Sequence, residues 1–60
     1  MITLHNKKKT KKVDIIKDCF DIYNCFFCDI TKGSEQILEC KSYMSEKAAI
    51  KWANNKLSVW

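Results

Sequence analysis

The chain has 60 residues, 30% of them charged, with 11 Lys and no Arg, a single His, four Cys and a formal net charge of +4. So short a chain forms one domain and buries only about 60% of its unfolded surface, a marginal core that invites a staple in the form of a metal, disulfides or a partner chain. No Ser/His/Asp set, paired-carboxylate site or Gly-rich phosphate loop accompanies the one His, so no enzyme is expected, and no stretch approaches the roughly 18 apolar residues of a membrane span.

Residues 2–5 alternate apolar and polar side chains, as a half-buried strand does. Five Lys follow within residues 7–12: Lys7, Lys8, Lys9, Lys11 and Lys12. Residues 13–60 hold six Lys against seven Asp and Glu, so this segment alone carries the positive charge. A Lys run can bind phosphates by counterion release. It can equally be a solvated loop, and it lacks both the Arg fork and the aromatic stacking surface that persuade of a nucleic-acid patch. Residues 13–17 alternate again and read as a second strand joined to the first by a basic hairpin loop. Val13, Ile16, Phe20 and Tyr23 also recur at helical spacing, a competing reading that the β-branched and aromatic content disfavours.

Residues 25–28 read as a knuckle, 29–34 as a turn around Thr31, Lys32, Gly33 and Ser34, and 36–40 as a return strand. Ser45 is a good N-cap and Glu46 follows where the helix dipole favours an anion. Ala49, Ile50, Trp52, Ala53, Leu57 and Trp60 fall on one stripe, with Lys56 near the C-terminal end, which predicts a helix from about Glu46 to about Leu57. The expected organisation is a single domain: a basic strand and loop over 1–12, a ribbon over 13–44 and a helix over 45–57. The fold class is α+β, a small zinc-ribbon-like hairpin or sheet packed against one C-terminal helix.

Cys25, Cys28 and Cys40 stand in the order C-x2-C-x11-C, most of a structural zinc site. Position 43, where a ribbon would offer a fourth Cys, is Tyr. Cys19 is the first candidate for the missing ligand and His5 the runner-up, with Asp29 third. Such a site would contribute on the order of 10 kcal/mol to folding. The start of the chain carries no apolar run of signal-peptide length, which points to the cytosol, where a Cys cluster more often means metal than disulfide. The alternative is that the thiols are small hydrophobes among Phe20, Ile22, Phe26, Phe27, Ile37 and Leu38. A redox C-x-x-C is the least favoured reading, because the chain is too short for a thioredoxin-like unit. Trp52 reads as a core residue of the helix stripe. Trp60 reads either as folded over the core or as an interface anchor, since Trp is enriched in binding hot spots.

Asn24-Cys25-Phe26-Phe27-Cys28, the strand Ile37-Leu38-Glu39-Cys40 and the segment Ser45-Glu46-Lys47-Ala48-Ala49-Ile50-Lys51-Trp52-Ala53-Asn54-Asn55-Lys56 together resemble the Lar-type restriction alleviation family of small phage and prophage proteins. That family's pattern is a C-P-F-C-G knuckle, a hairpin, a C-x-x-C knuckle and a helix close to E-E-A-I-E-A-W-N-R-R. Phe27, Ala49, Ile50 and Asn54 match it. Phe26 stands where Pro is usual, Asp29 where Gly is usual and Tyr43 in place of the last Cys. The resemblance implies zinc on Cys25, Cys28 and Cys40. It also implies a phage accessory protein in the host cytoplasm that blunts a restriction-modification system, and the abundant Lys, Asn and Ile fit an AT-rich phage or low-GC genome. DNA mimicry needs a strongly acidic surface, which a chain of net charge +4 lacks.

Three functions follow as expectations. The first is a non-enzymatic protein that binds a host defence complex. The second is a zinc-ribbon nucleic-acid-binding regulator using Lys7, Lys8, Lys9, Lys11 and Lys12, whose binding would fall steeply with salt. The third is a subunit module whose apolar helix face, with Trp52 and Trp60, is completed by a partner or by a second copy of the chain.

Overall fold

The computed structural model describes residues 1–31 and 33–59. Four strands precede one helix: β1 (Ile2–His5), β2 (Lys11–Lys17), β3 (Tyr23–Asp29), β4 (Gln36–Tyr43) and α1 (Glu46–Ser58). The strands form an antiparallel sheet in the order β1-β2-β3-β4, each beside its neighbour in sequence. The protein is therefore an α+β fold, an antiparallel sheet packed against a C-terminal helix, as its sequence predicts. The basic segment is no appendage, because β1 pairs with β2 from Ile2 opposite Ile15 to His5 opposite Lys12.

Alternation sorts each strand into two faces. Ile2 and Leu4, Val13 and Ile15, and Tyr23, Cys25 and Phe27 face α1, and Tyr43 packs against the same core. From the helix come Ala49, Ala53 and Leu57, all buried. Small residues one turn apart let α1 lie close to the sheet, so that Val13 and Ile15 lose essentially all solvent contact. Each such aliphatic side chain contributes roughly 1.5–3 kcal/mol on burial. The helix begins as expected: the Ser45 side chain accepts a hydrogen bond from the Ala48 amide at 3.2 Å, Glu46 occupies the first turn and Lys56 the last.

Two connections are built by single side chains. Between β1 and β2, the Asn6 carboxamide oxygen accepts from the amides of Thr10 (2.9 Å) and Lys11 (3.0 Å), while its nitrogen donates to the Thr10 hydroxyl at 3.0 Å. Asn6 is buried, and the chain turns through Lys9 at φ 55°. Between β2 and β3, the Asp18 carboxylate accepts from the amides of Phe20 (2.8 Å) and Ile22 (3.1 Å), and Asp21 supplies the left-handed residue at φ 61°. Asx-type side chains close turns in this way because they can stand in for backbone acceptors.

Two expectations are corrected here. Residues 25–28 are the middle of β3 and not a knuckle: Tyr23, Phe26 and Phe27 favour extended backbone, and no Gly or Pro is present to turn it. The helical alternative for residues 13–23 fails as well, since Val13 and Ile16 lie on opposite faces of β2 and Phe20 is in the loop, 78% exposed.

Candidate functional site

The cysteines were the sequence's strongest chemical signal, and the sheet distributes them. Cys25 and Cys28 are an odd number of residues apart on one strand, so their side chains leave opposite faces. Cys25 is fully buried among Val13, Ile15, Ala49 and Ala53. Cys28 opens onto the other face, where Lys12 on β2 and Ile37 on β4 are its neighbours, and it too is buried. Their Sγ atoms approach the Tyr23 and Phe26 carbonyls at 3.9 and 3.7 Å, long contacts for weak donors. Burial pushes the Cys25 thiol above its ordinary pKa. Cys28 is pushed up by burial first and by the Asp14 carboxylate next, with Lys12 opposing. Both shifts favour the neutral thiol, the less nucleophilic form of cysteine.

Cys19 is exposed in the β2–β3 loop, and Cys40 is exposed on β4, where it shares the face of Cys28. His5 is exposed on β1, on that same face but with Lys12 between it and Cys28 in the register. Asp29 ends β3 on the helix side and accepts from Thr31, its carboxylate 2.8 Å from the Thr31 amide. Among the described residues no group of three or more His, Cys, Asp or Glu side chains is arranged to hold a metal ion. The tetrahedral zinc site expected on Cys25, Cys28 and Cys40, completed by Cys19 or His5, does not fit these residues. The physical reason is the extended backbone of β3, which sends the first two thiols to opposite sides of the sheet.

The Lys run is divided in the same manner. Lys7, Lys8 and Lys9 project from the hairpin tip, exposed. Lys11 and Lys12 are adjacent on β2 and therefore point to opposite faces. Lys11 lies 3.8 Å from Asp29, and Lys12 pairs with Asp14 at 3.0 Å and with Glu35. Glu35 first, then Asp14, holds the Lys12 ammonium well above the usual lysine range. The five cations do not make one phosphate-binding stripe.

Trp52 is half-buried at the β4 side of α1, its ring 6.5 Å from that of Tyr43 and 5.6 Å from the Lys56 ammonium. It is a packing residue at the margin of the core. The expectation for Trp60 lies outside the described residues.

What pattern reading passed over is the face of the sheet opposite α1. It carries Thr3 and His5, then Lys12, Asp14 and Ile16, then Asn24, Phe26 and Cys28, then Ile37, Cys40 and Ser42. Its polar members satisfy one another: Thr3 donates to Asp14 at 2.9 Å and Ser42 to Asn24 at 2.8 Å. Its apolar members stay open, with Ile16 41% and Ile37 61% exposed. The signal for this face was the placement of Ile16 and Phe26 beside core residues, which gives β2 and β3 a second, partly apolar side, and the exposed Ile37 of β4 extends it. On the helix side, a shallow cleft of about 230 Å³ opens among Met1, Ile2, Ile15, Lys17, Tyr23 and Glu46.

Comparison with known protein families, curated proteins and solved structures finds no match. Among the described residues no helix is long and apolar enough to cross a membrane.

Proposed function

We propose that the chain is a non-enzymatic binding protein that works by protein contact through the helix-free face of its sheet. Its partner, as the resemblance to Lar-type proteins implies, is a component of a host restriction-modification or other defence system, met in the host cytoplasm. The observation that carries this reading is the composition of that face. Ile16, Phe26 and Ile37 offer apolar area, two of them well exposed, and the charges among them are already paired as Lys12 with Asp14 and Glu35. An apolar centre with a satisfied polar surround suits a protein surface. A polyanion needs unpaired cations, and here Lys12 is taken up by two carboxylates.

The test is the plating of unmodified phage on cells that carry a type I restriction system, with and without expression of the chain. Expression is expected to raise plating efficiency, and Ile16→Asp, on an exposed position of β2, is expected to abolish the gain while leaving the fold intact. Unchanged plating with the wild-type chain present would overturn this reading.

A further inference from the structure

The sheet has two edges of unequal character. β1 has four residues, whereas β4 has eight, and seven of these are exposed. Among the described residues no strand lies beyond β4. Strand edges are ordinarily blunted by shortness, by proline, by a covering element or by charges that repel a second strand. β4 is long, has no Pro, and lies beside a helix that packs chiefly over β2 and β3. It does carry two charges, Glu39 and Lys41, and their positions decide what the edge accepts.

We propose that β4 is a dimerisation edge: it pairs antiparallel with β4 of a second copy, about a two-fold axis beside Cys40, to make one continuous eight-stranded sheet. The register follows from geometry. Directly opposed residues of an antiparallel pair share a face, so a two-fold axis normal to the sheet must set one residue against its own mate. For a strand spanning Gln36–Tyr43, the fullest overlap places that residue at Glu39 or Cys40. An axis at Glu39 opposes two carboxylates. An axis at Cys40 opposes Glu39 to Lys41 of the second copy, twice by symmetry, and moving it on to Lys41 opposes two ammonium groups. Only the Cys40 register turns both edge charges from repulsion into attraction, and directly opposed opposite charges stabilise a strand pair.

The rest of the edge agrees with this register. Lys41 is exposed and has no ion-pair partner within its own chain among the described residues, so it is free to meet a carboxylate. Glu39 is held from the helix side by Lys56 at 2.6 Å and keeps its side chain 44% exposed. Leu38, the extra residue of the bulge where Phe27 opposes Glu39 and Cys28 opposes Ile37, breaks the alternation of β4, so the regular pairs of this register are Cys40 with its mate and Glu39 with Lys41 on either side. Exposed Ile37 and Leu38 flank these pairs at the bulge. Both helices lie on one side of the joined sheet. The two helix-free faces merge on the other, so the proposed binding face becomes two-fold symmetric. The dimer stands on the edge charges alone and does not depend on what that face binds.

Sedimentation velocity of the reduced full chain across a concentration series tests it. The wild type is expected to move from monomer to dimer, and Lys41→Glu to weaken the dimer roughly tenfold by opposing like charges at both crossings. Adding Glu39→Lys to that variant should restore association. In a Cys19→Ser background, diamide should join Cys40 to Cys40 of the second copy: two thiols lose two protons and two electrons, which the diazene takes up as it becomes the hydrazine. A monomer at every concentration, a dimer indifferent to Lys41→Glu, or a charge-swapped variant that stays monomeric would each overturn the proposal. The phage plating result for Ile16→Asp, far from this edge on β2, is independent of it.

Discussion

Cys25 touches Val13, Ile15 and the alanines of α1, while Cys28 is buried on the far face beside Lys12 and Ile37, so one strand uses two thiols as two different packing units. Cys19 and Cys40 meet solvent. A thiol reagent added to the reduced native protein should therefore consume Cys19 and Cys40 on mixing. Cys25 and Cys28 should react only as fast as the structure opens, a difference that peptide mapping after timed quenching will resolve. Prompt modification of all four would refute the placement of Cys25 in the core. Asn6 has a similar weight, although it is one polar residue ahead of a run of Lys. It feeds the amides of Thr10 and Lys11 from one oxygen in a buried setting. Asn6→Ala leaves those donors without that acceptor and should cost about 1–3 kcal/mol in urea unfolding. A loss under about 0.5 kcal/mol, the scale of ordinary surface substitutions, would mean that water replaces the carboxamide.

Helix α1 was legible to within a residue because its signals are local: a Ser cap, an acidic first turn, a basic last turn and an apolar stripe. Ser45→Ala should cost about 1 kcal/mol, and Ser45→Asp, which keeps an acceptor for the Ala48 amide, should cost far less. Thermal unfolding of the two variants gives the comparison, and equal losses would show that the cap is not the source. Ala53→Leu forces extra methylenes into a position with no solvent exposure, and should destabilise by about 1–3 kcal/mol despite the better helix-packing volume of Leu. The strands were legible unequally. β1 showed a clean alternation, and β2 showed two periods at once, because Ile16 is apolar on the helix-free face. β3 was misread because the spacing of Cys25 and Cys28 suggested a shared metal ion, while the aromatic residues around them, Tyr23, Phe26 and Phe27, argued for extension, with no Gly or Pro among them. Backbone preference prevailed over motif spacing. The self-complementary edge of β4 had no signature in chain order, since the meaning of Glu39 and Lys41 depends on which strand lies last in the sheet.

At the scale of the whole molecule, the small core and the scattered thiols make opposite predictions about pH, according to what staples the fold. Asp18 is held below the ordinary carboxylate range, first by the Ile22 amide and then by the Phe20 amide. A group depressed in the folded state adds stability that is present above its unfolded pKa, roughly 3.9, and is lost as pH falls through the folded value. Cys25 and Cys28 are raised, in each case by burial first. Groups raised in the folded state add stability that is complete below their unfolded pKa, roughly 8.5, and is lost as pH rises through the folded values, because the unfolded chain releases those protons sooner. Stability should therefore be level between about pH 5 and 8, decline in acid through Asp18 and decline in alkali through the two buried thiols. Asp18→Asn should flatten the acid limb and Cys25→Ala the alkaline one. A zinc-thiolate fold would behave otherwise. Its ligands must be deprotonated, so it would weaken as protons compete for sulfur well above the range of Asp18, and chelation at neutral pH would unfold it. Urea midpoints measured from pH 3 to 10, with and without chelator, separate the two. Insensitivity to chelator together with an alkaline decline that Cys25→Ala removes is the outcome expected of a sheet whose thiols are packing groups. A collapse on chelation at neutral pH would restore the metal and require residues 25–28 to leave the strand.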